Sequence, residues 1–81
     1  MTRGEARRAA EAAREQYDIP PEGRLYAVDK RHIELAGDDP SQPAPVKDVL
    51  VWLARFRIRH GWTELAVDDA SGQIVRVRRS R

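Results

Sequence analysis

The chain has no cysteine, so it can form no disulfide, no thiolate metal site and no thiol nucleophile. Histidine occurs only at His32 and His60, without the dense spacing that metal sites use. Serine is confined to Ser41, Ser71 and Ser80, and no nucleophile elbow surrounds any of them. The five glycines are scattered, so no Gly-rich phosphate loop exists. The acid pairs Asp38-Asp39 and Asp68-Asp69 fall in loop- and turn-like surroundings. There aspartate caps backbone rather than converging with a partner for acid–base chemistry. These absences predict a non-enzymatic protein with no metal and no cofactor. No apolar run approaches a membrane span, and nothing apolar follows the first residues as in a signal peptide. A cytoplasmic protein with no membrane partner and no evident small-molecule substrate is the expectation.

What remains is short and heavily charged. The 81 residues are 41% hydrophobic and 35% charged, which suits one domain with a modest core. Of the 15 basic residues, only Lys30 and Lys47 are lysines. Arginine suits planar recognition of phosphate, although an Arg- and Ala-rich composition can also reflect the genome. The charge is uneven. Residues 46–81 hold eight basic and four acidic side chains, whereas acids slightly outnumber bases before residue 46.

Residues 4–17 predict a helix, with Thr2 available as its N-cap and an Ala6, Ala9, Ala10, Ala13, Tyr17 stripe. A stripe of methyl groups buries little area, so residues 1–19 read as a helical arm, ended by Pro20-Pro21. Residues 24–36 predict a hairpin turning at Asp29-Lys30-Arg31-His32, with Val28 opposite Ile33 and Tyr26 opposite Leu35. Residues 37–45 form a proline-rich loop. Residues 46–60 predict the main helix, apolar over a wide arc and capped at Gly61. Residues 62–79 predict a second hairpin around Ala70-Ser71-Gly72. It pairs Val67 with Val75, Leu65 with Val77, Glu64 with Arg78 and Ala66 with Arg76. The expected fold is α+β in the order α-ββ-α-ββ, a four-stranded, mainly antiparallel sheet with helix 46–60 packed on it and an N-terminal helix beside it. The whole chain, 1–81, reads as a single domain, with 24–79 as its core and 80–81 as a tail.

Two surfaces stand out. The apolar arc of residues 46–60 exceeds what one small sheet face can cover. Val51, Trp52 and Ile58 are therefore candidate contacts of a protein–protein interaction module, expected to be a homodimer or a subunit of a larger assembly. The alternative is a nucleic-acid-binding accessory protein using Arg55, Arg59, Arg76, Arg78 and Arg79, with Trp62 or Trp52 available for stacking. A charged edge strand guarded against aggregation would also account for the last three of these arginines. A winged helix fits poorly, because a recognition helix is polar toward its groove and residues 46–60 are mostly apolar.

Overall fold

A computed structural model describes residues 1–35 and 47–80. The expected loop 37–45 and Arg81 lie outside the described residues. Within them the order is one helix and four strands: α1 (Arg3–Ala12), β1 (Arg24–Leu35), β2 (Lys47–Ile58), β3 (Gly61–Asp68) and β4 (Ile74–Arg79). The strands form one antiparallel sheet in sequence order, with β1 and β4 at the edges. The fold is α+β, as expected, but the sheet dominates and only one helix is found among the described residues.

The expected main helix is instead the central strand β2. Both of its edges are hydrogen-bonded, to β1 and to β3, and both of its faces carry buried side chains. A strand packed on two faces reads as a continuous apolar run rather than an alternating one, which is how its sequence imitates a broad helical arc. Gly61 is therefore not a helix cap; it opens β3 after the two-residue connection Arg59-His60.

The first expected hairpin is likewise one uninterrupted strand. β1 runs straight through Asp29-Lys30-Arg31-His32 and pairs along its length with β2: Val28 faces Ala54, Lys30 faces Trp52 and Ile33 faces Val49. Val28–Ile33 and Tyr26–Leu35 are therefore not pairs. An edge strand tolerates such a polar run because charged side chains there discourage edge-to-edge association.

The second hairpin forms where expected. Leu65–Val77, Glu64–Arg78 and Ala66–Arg76 are cross-strand pairs, and an irregularity after Ala66 sets Val67 against Ile74 rather than Val75. Its turn is held by Asp68, whose carboxylate accepts from the Ser71 hydroxyl at 2.6 Å and the Ala70 amide at 3.4 Å. That first hydrogen bond is the main reason the Asp68 carboxyl sits below its ordinary pKa. Gly72 takes φ 75° there, a conformation glycine adopts without steric cost.

α1 begins with a capping box. The Glu5 amide donates to Thr2 Oγ1 at 3.1 Å and the Thr2 amide donates to Glu5 Oε1 at 2.8 Å. The helix lies on its own sheet, and the small size of its stripe allows close approach. Ala6 and Ala10 are fully buried, in one cluster with Ala13, Ile19, Trp52, Ala54, Phe56, Leu65 and Val67. Phe56 and Leu65 are the largest fully buried side chains of the cluster, each worth roughly 1.5–3 kcal/mol on burial. Arg14 reinforces the seam: it pairs with Glu11, donates to the Pro20 carbonyl at 3.1 Å and lies 4.9 Å over the Phe56 ring. The helical turns stop at Asp18, which takes φ 56°, and Ile19 then returns to the core.

Candidate functional site

Strand alternation divides β2 between two faces. Trp52, Ala54 and Phe56 point into the cluster beneath α1. Val51, Leu53, Arg55 and Arg57 point to the opposite face, on which no described helix or strand lies. That second face has two halves. One is a small apolar cluster of Ile33, Val51 and Ala66, with Leu35, Val49, Leu53 and Val75 around it. The other is cationic and aromatic.

In the cationic half, the pairing register sets Arg55 beside Glu64, Arg57 beside Trp62, and Glu64 beside Arg78. Glu64 is only 3% exposed. It accepts from Arg55 Nη2 at 2.7 Å and lies 3.7 Å from Arg76 Nη2. Arg55 also stacks 4.8 Å from the centre of the Trp62 ring. Its pKa is raised above the ordinary value first by Glu64, then by Tyr26. Arg57 lies 5.5 Å over the Tyr26 ring. A buried acid thus fixes one arginine, and two aromatic rings each carry a guanidinium.

The charge on this half is not balanced. Arg24 and Arg57 are direct cross-strand partners, an arrangement that costs stability unless something anionic lies nearby. Neither makes an ion pair among the described residues. Arg76 Nε is buried without a hydrogen-bond partner in the described structure, whereas buried polar atoms are nearly always satisfied.

The residues singled out from sequence are distributed unevenly over this architecture. Arg55, Arg76 and Arg78 meet around Glu64. Arg59, in the β2–β3 connection, is exposed at the end of the same half. Arg79 is separate: it pairs with Thr63, and its Nη2 donates to the Tyr17 carbonyl at 2.9 Å, which ties β4 to the turns after α1. Of Val51, Trp52 and Ile58, alternation puts Trp52 and Ile58 on the α1 side of β2 and Val51 on the other. Val51 is fully buried in the apolar cluster of the second face. Trp52 is 7% exposed beneath α1, and its indole N–H donates to Asp69 Oδ1 at 2.8 Å. Of the two tryptophans, Trp62 is the one on the cationic face.

Sequence reasoning missed Arg57 and Tyr26. A signal for Arg57 was present: Arg55, Arg57 and Arg59 alternate with Ala54, Phe56 and Ile58, a period of two that places all three arginines together on a strand. Tyr26 carries no such signal, because its position follows from a register irregularity between Leu25 and Ala27.

The chain matches no protein-family model, no curated protein and no solved structure.

Proposed function

We propose that this chain is a small non-enzymatic binding module whose cationic sheet face holds nucleic acid. The observation that carries the reading is the arrangement of Arg55, Arg76 and Arg78 around Glu64, the one buried acid among the described residues, with Arg57 next along the same face and Tyr26 and Trp62 stacked against two of these arginines. Arginines supply phosphate contacts, and aromatic rings on the same surface supply base stacking. Arg55 is largely neutralised by Glu64, so its part is to hold Trp62. Arg57, Arg59, Arg76 and Arg78 are the phosphate contacts.

Binding of a labelled oligonucleotide, measured by anisotropy over a salt series, tests this. Four phosphate contacts correspond to a log–log salt slope of about −3 for a single strand and about −4 for a duplex. Absence of binding at low salt removes the reading.

A protein–protein contact is the second reading, favoured by the outer edge of β1. This strand has 12 residues and, among the described residues, is paired on one side only, so it could add a strand from a second copy. Arg3 Nε already occupies the Val28 carbonyl at 3.1 Å, which blocks part of that edge. Sedimentation velocity with and without oligonucleotide separates the readings. A dimer indifferent to nucleic acid favours the edge, whereas a monomer that shifts with the oligonucleotide and releases it as salt rises favours the cationic face.

A further inference from the structure

The cationic face ends in a cleft of about 320 Å³ between the β2–β3 connection and the start of β1, lined by Tyr26, Arg57, Ile58, Arg59, Gly61 and Trp62. We infer that this cleft takes one unpaired nucleobase, so that the module selects single-stranded over duplex nucleic acid. The inference rests on the nucleic-acid reading and adds to it the structural class of the ligand.

Three independent features converge on the cleft. The first is the exposure of Tyr26. At 48% it is, with Met1, one of two large apolar side chains exposed among the described residues. With Arg57 over it, the ring still leaves nearly half of the residue in water, and every base has a face to stack on an aromatic ring.

The second is the way Tyr26 is aimed. The β1–β2 register slips between Leu25 and Ala27, leaving Tyr26 as the extra residue. Irregularities of this kind re-aim a side chain and recur beside binding sites. Leu25 is thereby kept with the core beneath α1, while Tyr26 meets Arg57.

The third is the rigidity of the opposite wall. Trp62 is fixed through its backbone by Ser80: its amide donates to Ser80 Oγ at 2.7 Å and its carbonyl accepts from the Ser80 amide at 2.9 Å. Its ring is backed by Arg55, itself held by Glu64. The cleft is therefore largely formed before any ligand arrives, which lowers the cost of ordering on binding. Arg57 and Arg59 stand at its rim for the flanking phosphates.

A duplex cannot use such a site without unstacking, because its bases are paired and buried while its phosphates face outward. A single strand presents both chemistries to neighbouring points of one face.

The test compares three labelled ligands of equal phosphate number at low salt: a single strand, a duplex, and an abasic single strand. Deoxyribose and ribose versions of the single strand distinguish the two natural sources. The expected result is that a base-bearing strand of either sugar binds about tenfold more tightly than the abasic strand, and more tightly than the duplex. Tyr26→Ala should bring that strand most of the way down to the abasic level, and Tyr26→Phe should restore the preference. Equal affinity for the strand, the duplex and the abasic strand, with a steep salt slope, would overturn the base-stacking inference and leave the cationic face intact. Failure of all ligands to bind would remove both.

Discussion

Arg55 Nη2 lies 2.7 Å from Glu64 Oε2 across the β2–β3 pair, and the two side chains are unequally buried: the carboxylate is 3% exposed and the guanidinium 41%. The acid is therefore the fixed element and the arginine reaches outward from it to Trp62. Glu64→Gln should lower stability by about 1–2 kcal/mol, because a charge-assisted hydrogen bond is lost and Arg76 loses its acid partner. The same change removes a negative charge from the binding face, so oligonucleotide affinity should rise severalfold. Urea unfolding and anisotropy on the one variant check both signs. A loss of affinity together with a loss of stability would mean that the positioning of Trp62 by Arg55 outweighs the charge.

Gly61 and Ser80 approach each other closely. A Cβ on Gly61 would stand 1.8 Å from Ser80 Oγ, so Gly61→Ala forces Ser80 away from Trp62. The expected loss is about 1–3 kcal/mol in urea unfolding. Ser80→Gly, which removes the obstructing hydroxymethyl group, should recover part of it in the double variant. The recovery distinguishes a clash from a backbone requirement.

Acid should loosen the β3–β4 turn and its link to β2. The Trp52 indole N–H is the main cause of the lowered Asp69 pKa, and the Ser71 hydroxyl is the main cause for Asp68. A carboxyl depressed in the folded state contributes stability that is present above the unfolded value of about 3.9 and is lost as pH falls through the folded pKa. Melting temperature should therefore be insensitive to these two groups near neutrality and fall below about pH 4. Asp69→Asn should flatten that part of the profile, and Trp52→Phe should do the same for the Asp69 share alone.

How much of this could be read beforehand depends on how local the determinants are. The β3–β4 hairpin rests on alternation and on Gly72, both visible in a short window, and its Glu64–Arg78 and Leu65–Val77 pairs follow from them. The start of α1 is similarly local, since Thr2 and Glu5 lie three residues apart. β2 is not local. Val49, Leu50, Val51, Trp52 and Leu53 are apolar without alternation because neighbouring strands and both faces bury them, and that environment exists only once the sheet has formed. The Arg55–Arg57–Arg59 alternation and the β-branched and aromatic content were the strand signals within it. β1 misleads in the opposite way: its central polar run looks like a turn, yet its partner is β2, beyond residues 36–46. The candidate site inherits the same division. Arg76 and Arg78 were legible from their own hairpin, whereas Tyr26 and Arg57 meet only through the long-range β1–β2 register.

Two adjacent arginines give the sharpest separation of stability from binding. Arg78 is paired with Glu64 on the cationic face, and Arg79 is paired with Thr63 on the face beneath α1. Alternation along β4 thus gives chemically identical neighbours opposite assignments. Arg78→Ala should leave the urea midpoint nearly unchanged, since the side chain is exposed and surface substitutions of this kind change stability little. It should reduce the salt slope for a single strand by about 0.7. Arg79→Ala removes the donor to the Tyr17 carbonyl, so it should lower stability by about 0.5–1.5 kcal/mol and leave the slope as it was. Anisotropy across a salt series and urea unfolding, run on both variants, measure the two effects separately. If both variants lose slope equally, the ligand follows the C-terminal charge rather than the sheet face. If neither does, the phosphate contacts lie elsewhere, and Arg57 and Arg59 at the cleft become the pair to replace.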